Sequence, residues 1–132
     1  MRASRNSLLC LIALLLLSSC ATGPRESKEQ AVTDTATGTG RAVSSLLAKS
    51  TVQIEAKEWE KAAALLERAL RIEPRNAKLW QRLAEVRLSQ GQFAQAESLA
   101  VKSNALAPKE QALQARNAQI IHQAREARGL IN

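Results

Sequence analysis

Tyrosine is absent from this chain of 132 residues, and its aromatic set is two tryptophans and one phenylalanine. Three rings leave little on which successive bases could stack, so nucleic-acid binding is not expected, despite a surplus of 19 Lys and Arg over 12 Asp and Glu. Histidine occurs once, as His122, and cysteine twice, as Cys10 and Cys20. So small a set offers no His and carboxylate cluster at metal-ligand spacing, and the chain has no glycine-rich phosphate loop. The carboxylates of Glu55, Glu58, Glu60 and Glu67 are interleaved with Lys57, Lys61, Arg68 and Arg71, the pattern of a solvated helix face. No enzyme, cofactor or metal is expected.

Long apolar runs are scarce as well. The run from Leu8 to Leu17 follows Arg2 and Arg5 and is too short to span a bilayer, so residues 1–19 read as an export signal. The stretch Leu17-Ser18-Ser19-Cys20 resembles the bacterial lipobox, in which a branched apolar residue and two small ones precede a cysteine that is acylated. That resemblance implies lipidation at Cys20, which becomes the first mature residue. It also implies an outer-membrane address facing the periplasm, because Ala21 stands where Asp would retain such a lipoprotein in the inner membrane. Each buried methylene of an acyl chain contributes about 0.8 kcal/mol, and several chains anchor stably without a membrane helix. With Cys10 removed and Cys20 acylated, the mature chain has no thiol for a disulfide. Removal of Arg2 and Arg5 leaves 17 basic against 12 acidic residues, a net of +5, which suits anionic lipid head groups, carboxylate-bearing cell wall or an acidic patch on a partner.

From Ala21 to about Gly40 the composition is Thr, Ser, Gly, Glu and Lys, with too little apolar surface to offset the entropy of ordering. Residues 20–41 are therefore expected to be the lipidated cysteine and a disordered linker, with a coil span on the order of 25 Å and a limit near 70 Å when extended. Helical signals begin near Arg41. Val43, Leu46, Leu47, Ser50 and Ile54 recur at helical spacing, with Ser44 or Ser45 available as a cap. Further helices are expected at Trp59–Ile72, at Ala77–Ser89 after Asn76 as N-cap and before Gly91, at Phe93–Leu106, and from Pro108 to about Arg128, stopped by Gly129.

The chain nearly repeats itself at a spacing of 34 residues: Trp59-Glu60-Lys61-Ala62 is answered by Phe93-Ala94-Gln95-Ala96, and Pro74 by Pro108. The copy that starts at Ala77 carries Trp80, Leu83, Ala84, Gly91, Phe93, Ala96 and Pro108 at the spacing of a tetratricopeptide repeat, and it resembles that family. The copy that starts at Val43 keeps Leu46, Ser50, Trp59, Ala62, Leu66, Ala69 and Pro74. It has Lys49 where the family has Leu, and the copy that starts at Ala77 has Arg87 in place of the usual Tyr. The reading is an all-α fold: a short solenoid of about two helix pairs in residues 42–129, closed by a polar capping helix, behind a disordered tether. Trp59, Trp80 and Phe93 take core positions, and Ala62, Ala84 and Ala96 mark close helix crossings.

In this family the first helix of each repeat faces a concave binding surface. The resemblance places Lys78, Gln81, Glu85, Leu88 and Ser89 there, with Arg82 beside them, and Ala115, Gln119 and His122 from the cap helix. The carboxylate clamp of chaperone-binding members is not supplied by Gln81 and Glu85. Lipobox, tether and two repeats together resemble the outer-membrane lipoproteins that activate bifunctional class A penicillin-binding proteins. That resemblance implies a monomer, held to the membrane by its lipid anchor, that binds a periplasmic protein and raises peptidoglycan synthesis. An assembly scaffold or pilotin-like lipoprotein, and a wall-binding or wall-editing protein, are the other readings the residues leave open.

Overall fold

Pro74 and Pro108, 34 residues apart, set the two joints of the chain, because neither can continue the helix before it. The computed structural model describes the backbone of residues 27–130 and the side chains of residues 38–130. The expected signal segment and Cys20 lie outside the described residues. Five helices follow one another: α1 Ser27–Glu55, α2 Trp59–Ile72, α3 Ala77–Ser89, α4 Phe93–Leu106 and α5 Gln111–Ala127. Among the described residues there is no strand. The chain divides into two units, Met1–Thr33 and Asp34–Asn132, and α1 from Asp34 onwards belongs with α2 to α5 to the second.

The helix expected to begin near Arg41 is instead the C-terminal half of a longer one. Backbone helicity extends upstream to Ser27, so Ser44 and Ser45 are exposed mid-helix residues and cap nothing. The apolar pattern marks where packing starts, not where the helix starts. Gly38, Arg41 and Ala42 are exposed, and Val43 is the first buried side chain. Lys49, standing where the family has Leu, points into solvent, while small Ser50 is fully buried and donates to the Leu47 carbonyl at 2.7 Å.

The expected bounds of α2, α3 and α4 are met at both ends. Asn76 caps α3, its side chain accepting from the amides of Lys78 and Leu79. Pro108 does not open α5; it sits in the turn, and the helix begins three residues later. The two proline turns are built alike. The Pro74 carbonyl accepts from Trp80 Nε1 at 2.8 Å and the Pro108 carbonyl from Gln114 Nε2 at 2.7 Å, so Gln114 takes the place of the indole one repeat later.

The helix C-termini share a second joint. Gly91 has φ 74°, with Gln92 N donating to Arg87 O at 2.9 Å. Lys57, 34 residues earlier, has φ 58°, with Glu58 N donating to Gln53 O at 2.8 Å. Both are left-handed caps of the Schellman type, which glycine satisfies without strain and lysine does not. Lys57→Gly is therefore expected to stabilise the domain by about 0.5–1 kcal/mol in urea unfolding. A loss of stability would mean that the lysine side chain contributes more than its backbone costs.

The core forms in layers. Val43 and Leu46 of α1, Leu66 and Leu70 of α2, and Leu79, Leu83 and Val86 of α3 make the largest. Ala84, Ala96, Ala100 and Ile120 make the next, between α3, α4 and α5. Ala62, Ala84 and Ala96 are each 0% exposed, as expected of residues where helix backbones approach closely. The aromatics depart from their expected place: Trp59, Trp80 and Phe93 are half-buried, and the two tryptophans close the edge of a layer whose centre is aliphatic.

Candidate protein-binding face

The first helix of each pair, α1 and α3, and the helix in the equivalent third place, α5, contribute to one groove of about 410 Å³. Leu47 of α1 and Leu113 and Ala112 of α5 give it apolar lining, while Lys78 and Arg82 of α3 and Arg116 of α5 give it positive charge. Glu110 is its one acidic lining residue. Arg82 and Arg116 are 34 residues apart and so repeat on the period of the fold. Arg82 Nη1 reaches Glu85 Oε2 at 3.2 Å in a half-exposed pair. Among the described residues, neither Lys78 nor Arg116 has an ion-pair partner within 4.0 Å.

Of the residues expected on the concave face, Lys78 is open and Arg82 and Glu85 are half-exposed partners of each other. Gln81 is only 6% exposed and its amide points at the Leu113 carbonyl at 3.5 Å, so it lies beneath α5 and is not free to grip a partner. Its equivalent in α5, Ala115, is exposed, because among the described residues no helix covers α5 in turn. Leu88 packs against the Ala84, Ala96, Ala100 and Ile120 layer, which makes it a core-edge residue. Ser89 is exposed and donates to the Glu85 carbonyl.

Gln119 and His122 are exposed one turn apart and line a shallow depression on α5 with Ala118 and Gln123, separate from the groove. His122 Nδ1 lies 3.2 Å from Glu126 Oε2, an ion pair only when the imidazole is protonated. The groove residues that sequence reasoning missed are Leu47, Glu110, Ala112, Leu113 and Arg116. Arg116 was legible in principle, since it stands one period after Arg82. No group of His, Cys, Asp and Glu among the described residues could hold a metal ion.

The outer end of α5 is fixed by charge. Glu97 of α4 accepts from Arg125 Nε and from Arg128 Nη1, each at 2.8 Å. One half-buried carboxylate thus ties the last turn of the cap helix to α4, and Gly129, with φ 68°, ends the helix there. No described helix is long and apolar enough to cross a membrane.

Residues 53–120 match the family model described as Tetratricopeptide repeat, a span that runs from the end of α1 into α5. The chain belongs to the tetratricopeptide-repeat family. Among solved structures it is similar to the globular C-terminal domain of P. aeruginosa LpoP, at 44% sequence identity and a TM-score of 0.64; the match covers 66% of this chain and 82% of that one. No curated protein sequence matches. This is an LpoP-like tetratricopeptide-repeat protein, in which α1 with α2 and α3 with α4 form the repeats and α5 closes the stack. Such repeats are non-catalytic protein-binding folds, in which stacked helix pairs present one continuous surface.

Proposed function

We propose that this protein is an outer-membrane lipoprotein that docks its repeats on a bifunctional class A penicillin-binding protein and raises its glycan polymerisation. The observation that carries the reading is the 44% identity to the LpoP globular domain over 82% of that chain. The lipobox-like Leu17-Ser18-Ser19-Cys20 supports it independently. In this scheme the signal is 1–19, Cys20 carries the lipid, and the chain from there to Val43 spans the gap to the repeats. Fully extended, that stretch reaches about 75 Å; with Ser27–Ala42 helical it is shorter by roughly 30 Å. Activation is a population shift: the repeats bind the active conformation of the synthase more tightly than the inactive one.

The full chain, purified in detergent, should increase glycan polymerisation by a class A penicillin-binding protein of its own organism. If it neither binds nor stimulates any of them, an assembly scaffold or pilotin-like role becomes the better reading. For the anchor, Cys20→Ser should leave an unprocessed, mislocalised precursor that takes up no palmitate label. Label persisting on that variant would place the acyl chain elsewhere.

A further inference from the structure

The proposed docking leaves open what the groove itself recognises, and its residues constrain the answer. Its cations come from two helices, Lys78 and Arg82 on α3 and Arg116 on α5, against the single acid Glu110. Two of the three make no ion pair among the described residues. Arg82 is held only by Glu85, in a pair whose side chains are 39% and 32% exposed, and an exposed pair of that kind contributes little and is readily exchanged for another carboxylate. Guanidinium groups favour planar carboxylates, which they can bind with two parallel hydrogen bonds.

Spacing makes the inference specific. Arg82 and Arg116 occupy equivalent places on helices that pack in sequence around α4, and neighbouring helix axes lie about 8–10 Å apart. An extended chain advances about 3.3 Å per residue, so that separation corresponds to roughly three residues. The groove is lined as well by the apolar Ala112, Leu113 and Leu47. Resting on the docking reading above, we propose that the groove takes an extended acidic segment of the partner polypeptide. Two side-chain carboxylates about three residues apart face Arg82 and Arg116, and an apolar side chain between them lies against Leu113. The buried Gln81, already donating towards the Leu113 carbonyl, forms part of the floor and contributes no contact of its own.

The test uses the full chain in its own cells, with a photo-reactive phenylalanine derivative replacing exposed Ala112, and sequences the crosslinked product. Expected is a peptide carrying Asp or Glu residues two to four positions apart, with crosslinking reduced roughly tenfold by Arg116→Glu and by Arg82→Glu, and within about threefold of the parent in Arg116→Lys. Circular dichroism of each variant should show unchanged helicity, since these are exposed or half-exposed helix positions. A crosslinked segment without the acidic pair, a glycan or lipid product, no product at Ala112, or a yield indifferent to Arg116→Glu would each overturn the proposal. The two readings fail separately. An acidic segment from some other periplasmic protein keeps the groove chemistry and removes the synthase as partner, whereas a penicillin-binding protein captured through a neutral segment does the reverse.

Discussion

Leu79→Ala is expected to cost the domain about 3–4 kcal/mol, the range for emptying a leucine site that cannot collapse. Leu79 is 0% exposed and lies in the largest apolar layer, among side chains of α1, α2 and α3. No single helix can move inwards to fill the space without parting from the other two. For a folded unit of about 90 residues, a loss of that size lowers the melting temperature by roughly 15 °C. The neighbouring Trp80→Ala removes far more atoms but should cost less, about 2 kcal/mol, because the indole is half-buried and loses chiefly edge packing and its hydrogen bond to the Pro74 carbonyl. Thermal unfolding of the two variants side by side decides the order. If Trp80→Ala proved the more damaging, the centre of the layer would lie at the aromatic and not at the aliphatic residues.

That inversion shows which parts of the molecule were legible in the sequence. The 34-residue period fixes helix bounds because its markers act locally: proline stops a helix, asparagine caps one, and glycine accepts the left-handed turn. Hence α2, α3 and α4 begin and end where those residues place them. The upstream extent of α1 was missed because the apolar periodicity used to place the helix begins only at Val43. Among the described side chains none before Val43 is buried, and apolar periodicity reports burial, not backbone conformation.

The candidate face was half legible for a related reason. Helical spacing says which side of α3 turns towards the groove, and Lys78 and Arg82 are found there. It does not say how far the next helix leans over that side. α5 covers Gln81 and brings Arg116 into the groove, and both facts depend on packing between helices distant in sequence. Gln119 and His122 lie farther along α5, beside a different depression, so one frame position can mean different surroundings in a repeat and in its cap.

The same contrast between equivalent positions yields the largest effect expected of a single substitution. One period relates Ala69 to Ser103 and Leu83 to Asn117. Where the two repeats meet, between α2 and α3, that pair is apolar and buried; where the second repeat meets the cap, between α4 and α5, Ser103 and Asn117 are both 0% exposed and polar. Ser103 Oγ donates to the Ala77 carbonyl at 2.9 Å, while Asn117 Nδ2 donates to Ser103 Oγ at 2.9 Å and to Asn104 Oδ1 at 2.7 Å. The Asn117 amide thus supplies the donors that tie α5 to α4, and its own Oδ1 has no protein partner. Asn117→Asp removes those donors and buries a carboxylate against an amide oxygen. Near neutral pH the cost should be about 3–5 kcal/mol, enough to unfold much of the population of so small a domain. Burial, and then the facing lone pairs of Asn104, push the new carboxyl above its unfolded value near 3.9. The folded form therefore keeps its proton where the unfolded form has lost it, and stability falls as pH rises from about 4. Urea unfolding at pH 4 and pH 7 should show the variant recovering at the lower value relative to the parent. The double change Ser103→Ala with Asn117→Leu copies Ala69 with Leu83 at the preceding joint and should stay within about 1 kcal/mol of the parent, because the two buried side-chain donors leave together and the acceptors they release are a helical carbonyl, Ala77, and a half-buried amide, Asn104. If the double variant unfolded as readily as Asn117→Asp, the polar link would be indispensable to the seating of α5, and apolar packing could not replace it.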